Sequence, residues 1–350
     1  METRHPACDS RWTTVQKRSS GGWRVVLCSC MILVLSHPAQ GQEPQKVRVA
    51  IPSVSVNAGS TLIPKAMGYW REEGLDVDVI VIRATASLLA LSAREVEFTT
   101  LGGGALLGIL QGLPHRVVFT PYRRPNYALY ARPEIRSIQE LEGKKVGVSS
   151  IGSGPDSLLR DVLKKRMGEG AKKVTILAVG GGGERLAALV TKSVDAAILS
   201  NPFTLMAKQD GYHELFSFIR EKEYTDITVA TITREDLIKS NPAVVEKFIR
   251  GQVKALVLMH KNREKAVSIL STALKMTKDV VGPAYDELQP ALTEDGTIKE
   301  DEQKKSLEHL IDRLNVKQVP PLNKIYNLSI ARKVYKELEA GGWKPSDQNY

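Results

Sequence analysis

The chain has 350 residues, 42% hydrophobic and 25% charged, with a formal net charge of +10. Those proportions belong to a folded globular protein and exclude disordered and fibrous classes, and the length suffices for one large core or two smaller ones. Basic residues are scattered and mixed with acids, as at Lys144-Lys145 and Lys164-Lys165-Arg166, with no basic stripe carrying interleaved aromatics, so nucleic acid is not an expected partner.

The start of the chain differs from the rest. Arg4, Arg11, Lys17, Arg18 and Arg24 precede an apolar run at 25–35, and Ala39-Gln40-Gly41 supplies a small-residue exit. This is the plan of a secretory signal peptide, expected over 1–41 with cleavage after Gly41. The run falls short of the roughly 20 residues that span a bilayer. Cys8, Cys28 and Cys30 all lie in this leader, so the mature chain is expected to hold no disulfide and no cysteine nucleophile.

A strand is expected at 47–51, ending at Pro52 in a loop of small polar residues. A helix at 61–73 stops at Gly74, and a strand follows at 75–82. Arg83 to Ser87 open the next helix, and a strand at 96–101 runs into Gly102-Gly103-Gly104 and a further helix. The β-α-β-α-β order predicts a largely parallel sheet with right-handed crossovers. Segment 117–130, extended and interrupted by Pro121 and Pro125, crosses to a second lobe. There the plan recurs: strand 146–149, a helix opening at Pro155 and running to 167, strand 174–179, four glycines at 180–183, helix 184–192 and strand 194–199. Segment 226–233, rich in Thr, Ile and Val, crosses back. Helices at 243–261, 263–274, 300–314 and 328–339 are expected to pack on the first lobe. The expected division is therefore 42–125 for the first part of lobe 1, 126–228 for lobe 2, and 229–350 for the return to lobe 1 with C-terminal helices.

The two lobes echo one another in sequence. Ala90-Leu91, Val96-Glu97 and Leu101 recur 98 residues later as Ala188-Leu189, Val194-Asp195 and Leu199, and Lys46-Val47 is matched by Lys145-Val146. The fold class this predicts is α/β, with two doubly wound lobes, a ligand cleft between them and a helical C-terminal extension.

Catalytic signatures fail. The glycines at 180–183 fit no G-x-G-x-x-G frame, and no Gly-Lys-Ser/Thr follows them. No nucleophile elbow surrounds Ser149, Ser150 or Ser153, and His115, His213, His260 and His309 share no metal-ligand spacing. No catalytic residue, metal or cofactor is expected. Ligands of open α/β sheets sit beyond the carboxyl ends of the strands. The expected binding residues are accordingly Ser53, Ser55, Asn57, Arg83, Thr85, Thr100, Gly102 and Gly103 in the first lobe, and Ser150, Gly152, Ser153, Gly154, Ser200 and Asn201 in the second. Tyr122, on the crossing segment, completes the set. Small polar side chains offer donors without filling space, and glycines admit close backbone approach. Arg83, directly after an apolar strand, is expected either to hold a carboxylate, sulfonate or phosphonate bidentately or to stand as a solvated arginine.

Three phrases carry a family resemblance: Ala66-Met67-Gly68-Tyr69-Trp70-Arg71-Glu72-Glu73-Gly74-Leu75-Asp76-Val77, then Ile138 to Val148, then Arg185 to Leu189 with Val194 to Leu199 and Pro202. They resemble the substrate-binding proteins of nitrate/sulfonate/taurine-type ABC importers, a family that includes thiamine-pyrimidine-precursor binders. The resemblance spans about 46–260. It implies a type II periplasmic-binding fold that closes by hinge motion, a periplasmic location, a small-molecule ligand, an ABC importer permease as partner and a monomer. The cysteine-rich motif of the pyrimidine-synthesising relatives is absent, so their chemistry is not implied, and the sulfonate and nitrate pockets are not reproduced residue for residue. The expected function is capture of a small anionic or zwitterionic organic solute. A pyrimidine-precursor-synthase-type enzyme or a ligand-sensing receptor subunit are the alternatives.

Overall fold

Apolar residues of β1 (Gln45–Ile51) lie in parallel register against β2 (Leu75–Val81), Val47 opposite Val77, and β1 also pairs with β3 (Phe98–Thr99). In this computed structural model, which describes residues 43–345 other than 222, 223, 225, 226 and 315, the expected leader at 1–41 lies outside the described residues. Helices α1 (Gly59–Ala66) and α2 (Tyr69–Glu72) join β1 to β2, α3 (Ala84–Ser92) joins β2 to β3, and α4 (Gly102–Leu110) leads to β4 (His115–Phe119). The chain then crosses into β5 (Ala128–Ala131), β6 (Lys145–Val148), α5 (Gly154–Met167), β7 (Thr175–Ala178), α6 (Gly182–Val190), β8 (Ala196–Leu199), α7 (Phe203–Gln209) and β9 (His213–Ser217). It returns through β10 (Thr231–Arg234) to α8 (Glu235–Ser240), α9 (Pro242–Lys261), α10 (Arg263–Leu274), α11 (Lys278–Leu288), α12 (Glu300–Leu314) and α13 (Ser329–Ala340).

Two five-stranded sheets result, in the orders β2-β1-β3-β10-β4 and β7-β6-β8-β5-β9. The sequence echo is this equivalence: α3 corresponds to α6, β3 to β8, and the β1/β2 register recurs as Val146 opposite Ile176 in β6/β7. Its acidic members have a definite duty. The Glu97 carboxylate accepts the Arg48 backbone N–H at 2.7 Å and the Asp195 carboxylate that of Lys145 at 2.8 Å, so each side chain pins the neighbouring strand, β1 or β6.

Both sheets hold the parallel strands expected from sequence, β2, β1 and β3 in one and β7, β6 and β8 in the other. Each accepts one crossing strand, β10 or β5, antiparallel to both neighbours. A strand arriving from the other lobe enters against the direction of its neighbours, which makes these two segments the covalent links between lobes. The helix expected at 61–73 is two helices, because Gly68 takes a left-handed φ of 69° and re-aims the chain so that Tyr69 and Trp70 are buried. The strand expected at 96–101 pairs only over Phe98–Thr99.

Both faces of each sheet are covered. On one face of the first sheet α1, α9, α10 and α13 bury a core that includes Trp70, Phe98 and Phe248. On the other, Leu106 of α4, Ile232 of β10 and Leu310 of α12 pack together. The C-terminal helices thus return to the first lobe, except that α11 also reaches the second. Helix starts follow capping chemistry: Ser153, Asn241 and Asn262 each accept an N–H of the first turn of α5, α9 and α10, with Pro155 and Pro242 in the opening positions.

His115 on β4 is buried, its Nε2 3.3 Å from Ser92 Oγ and its Nδ1 without a partner. Burial and the nearby Arg234 and Arg116 guanidiniums hold its pKa below the ordinary 6.5, with Asp236 opposing. A histidine kept neutral in the fold stabilises it above its unfolded pKa, and that contribution disappears as the pH falls through the folded value. The melting temperature is therefore expected to fall on going from about pH 7 to about pH 5, and His115→Gln is expected to flatten that decline. An unchanged pH profile in the variant sinks the assignment.

Candidate functional site

The carboxyl ends of the strands of both sheets converge on one small cavity of about 40 Å³. Its walls are Pro52 and Ser53 after β1, Arg83 after β2, Leu101 after β3, Tyr127 before β5, Ser149 after β6, Ser153 to Pro155 opening α5, Gly180, Gly181 and Arg185 around the start of α6, and Thr228 ahead of β10. Both lobes and both crossing segments contribute. A wider opening of about 340 Å³ lies beside α9 and α13, lined by residues such as His260, Tyr335 and Trp343, but it belongs to one lobe alone. A cavity of 40 Å³ holds on the order of three waters, so admitting an organic solute requires the lobes to part.

Of the residues expected from sequence, Ser53, Arg83, Ser153 and Gly154 line this cavity. Arg83 stands at its rim with its side chain 76% exposed, 4.0 Å from Glu184 of the opposite lobe. Such an exposed pair contributes little to stability. Ser153 is committed as a cap: its Oγ accepts from Ser149 Oγ at 2.8 Å and donates to Ser150 O at 2.6 Å. Gly154 lies against Thr228, where an added Cβ would sit 3.1 Å from Cγ2. Gly102 donates its N–H to Thr228 O at 3.2 Å, and Gly103 is buried in the same turn of α4. Gly152 donates to the Asp156 carboxylate at 2.9 Å, and its carbonyl faces Gly104 of the other lobe. These glycines form the seam between lobes.

The other expected residues whose side chains are described are not among the lining residues of this cavity. Asn57 accepts from Asn126 Nδ2 at 3.0 Å. Asn201 donates to Ala284 O at 3.2 Å and Glu287 Oε2 at 2.9 Å and accepts from Thr204, so it fastens the second lobe to α11. Ser55, Thr100 and Ser200 are buried, with the Thr100 N–H bound to Ala50 O and the Ser200 carbonyl to Phe203 N. Ser150 keeps a buried Oγ without a partner. The Tyr122 hydroxyl is also unpartnered and buried, and burial pushes its pKa far up. Thr85 lies in the first turn of α3, and its side chain is outside the described part.

The cavity's most unusual wall residue is Arg185, which is 3% exposed. Its Nη1 donates to Gly180 O at 3.0 Å while its Nε, equally buried, has no partner. Burial lowers its pKa, with Tyr127 and Glu184 opposing. A signal for it exists in the sequence. Gly182, Arg185, Leu186 and Leu189 form the buried stripe of α6, and a charge on such a stripe is the anomaly to follow. Among the described residues no cluster of side chains could hold a metal ion.

Residues 56–266, more than half the chain, match the model of the NMT1/THI5-like family. The chain belongs to the NMT1/THI5-like family. A candidate binding protein of Brucella abortus (strain 2308) is 29% identical over 224 residues, covering 62% of this chain and 68% of that protein. The ligand-binding component of an ABC-type import system from Staphylococcus aureus superposes with a TM-score of 0.67 at 15% identity, covering 83% of this chain and 99% of that one. The periplasmic nitrate-binding protein NrtA of Synechocystis PCC 6803 does so with a TM-score of 0.68 at 14% identity, covering 87% and 92%. The family fold is thus the two-lobed α/β architecture of periplasmic binding proteins. No helix among the described residues is long and apolar enough to cross a membrane.

Proposed function

We propose that the chain is an exported solute-binding protein, periplasmic and monomeric, that captures a small anionic or zwitterionic organic solute by hinge closure. It hands that solute to an ABC importer permease. One observation carries the reading: the strand ends of two equivalent lobes meet on one cavity, and the lobes are joined by the crossing segments that lead into β5 and β10. Closing such a joint around a solute needs no chemical step, and the solute shifts the open–closed balance only by its preference for the closed form. The leader at 1–41, cut after Gly41, supplies export.

The test is a thermal-shift screen of the mature chain against sulfonates, nitrate, pyrimidines, amino acids and aromatic carboxylates. A true ligand at about 100 times its dissociation constant is expected to stabilise the fold by roughly 2.7 kcal/mol. Absence of any hit sinks the solute-binding reading, and conversion of a hit to product sinks its non-enzymatic part.

A further inference from the structure

We propose that Arg185, rather than the rim residue Arg83, is the receptor for the solute's head group, and that the solute is an organic anion with one carboxylate or sulfonate and an apolar body. The proposal deepens the solute-binding reading and rests on it. The cavity wall contains two arginines and no carboxylate. The acidic groups nearby are already engaged: Glu184 accepts the Gly181 N–H at 2.7 Å and faces Arg83, while Asp156 accepts the Gly152 N–H and Arg160 Nε at 2.8 Å. These bonds engage the amides of Gly152 and Gly181, just ahead of α5 and α6.

Arg185 is different. Its Nη1 donates to a neutral carbonyl, and its Nε, without a partner among the described residues, begins the side-on edge with which a guanidinium grips a planar oxyanion. A buried guanidinium facing no carboxylate is costly unless an anion completes it. The rest of the wall fixes the body of the solute. Pro52, Leu101, Tyr127 and Pro155 present apolar surface, which an inorganic ion leaves uncovered and a ring or short alkyl chain covers.

The experiment measures binding of benzoate, benzenesulfonate, benzamide and sulfate to the mature chain by calorimetry, repeated on Arg185→Gln, Arg185→Lys and Arg83→Ala. Benzoate or benzenesulfonate is expected to bind at least tenfold more tightly than benzamide and sulfate, a margin set by charge-assisted hydrogen bonds of roughly 1.5–3 kcal/mol. Arg185→Gln is expected to lose roughly 10- to 100-fold. Arg185→Lys is expected to recover part of that loss, and Arg83→Ala to lose less than Arg185→Gln. A purely structural arginine would lower the melting temperature of the solute-free protein and leave the acid-over-amide preference intact in Arg185→Gln, which overturns the proposal. Should Arg185→Gln not fold, Arg185→Lys and Arg83→Ala decide between the two arginines: a loss of benzoate affinity in Arg83→Ala as large as that in Arg185→Lys overturns the proposal. Binding of benzamide as tight as that of benzoate, or of none of the four probes, overturns it too. A neutral or cationic hit in the wider screen would then leave solute binding standing without the anion.

Discussion

Replacing Gly102 by alanine is expected to lower the melting temperature by several degrees and to weaken solute binding at the same time. The added Cβ would lie 1.7 Å from Ile227 O and within 2.8 Å of the Ile227 and Thr228 carbonyl carbons. All three are backbone atoms, so no side-chain rotation relieves the overlap. Either the first turn of α4 or the segment leading into β10 must move, and the Gly102 N–H bond to Thr228 O is strained or lost. Overpacking of this kind costs roughly 1–3 kcal/mol, and a backbone obstacle places it at the upper end. Binding suffers because Thr228 also touches Gly154 and lines the cavity, so pushing the crossing segment opens the seam on which closure depends. The comparison to make is Tm and calorimetric affinity of Gly102→Ala beside the unaltered chain. Retention of both rules out the seam as described.

Much of the fold was legible because it is local and repeated. Apolar strand runs, Gly74 beyond a helix, Pro155 opening one and the echo that pairs Glu97 with Asp195 signal their elements without tertiary information. What escaped depends on partners far along the chain. The edge strand β9 (His213–Ser217), which pairs only with β5, carries little alternation, and α7, α8 and α11 are short or hold glycine and proline in their interiors. The break at Gly68 is explained only by the burial of Trp70 against α9.

The site was legible in place more than in residues. Small polar groups at strand ends serve equally as caps, lobe ties and ligand contacts, and sequence does not divide those duties. Asn57 and Asn201 are consumed by Asn126 and by α11, neither adjacent in sequence. Arg83 and Arg185 differ in burial rather than in chemistry, and only the position of Arg185 on the apolar stripe of α6 distinguishes it beforehand.

The largest loss of stability is expected from Phe248→Ala in α9. The Phe248 ring lies between two others, stacked on Phe98 of β3 at 3.9 Å between centroids and on Trp70 at 4.9 Å. Its backbone carbonyl accepts the Trp70 indole N–H at 2.9 Å, and the indole in turn lies so close to Gly251 that a Cβ there would meet it at 2.3 Å. Neighbours held this tightly cannot collapse into the space a lost ring leaves, so the cost approaches the full transfer and cavity penalty of roughly 3–5 kcal/mol. The carbonyl remains in the variant, which keeps Trp70 in place and confines the damage to packing. Phe98 sits in β3, which leads through Thr100 to Leu101, so this core sets the height of the cavity's first-lobe wall. The urea midpoint of Phe248→Ala is expected to fall with little change in slope, and hydrogen-exchange protection to drop in β1 and β3 more than in β6 and β8. A loss below about 1 kcal/mol, or equal loss of protection in both sheets, means that the two lobes do not carry separate cores.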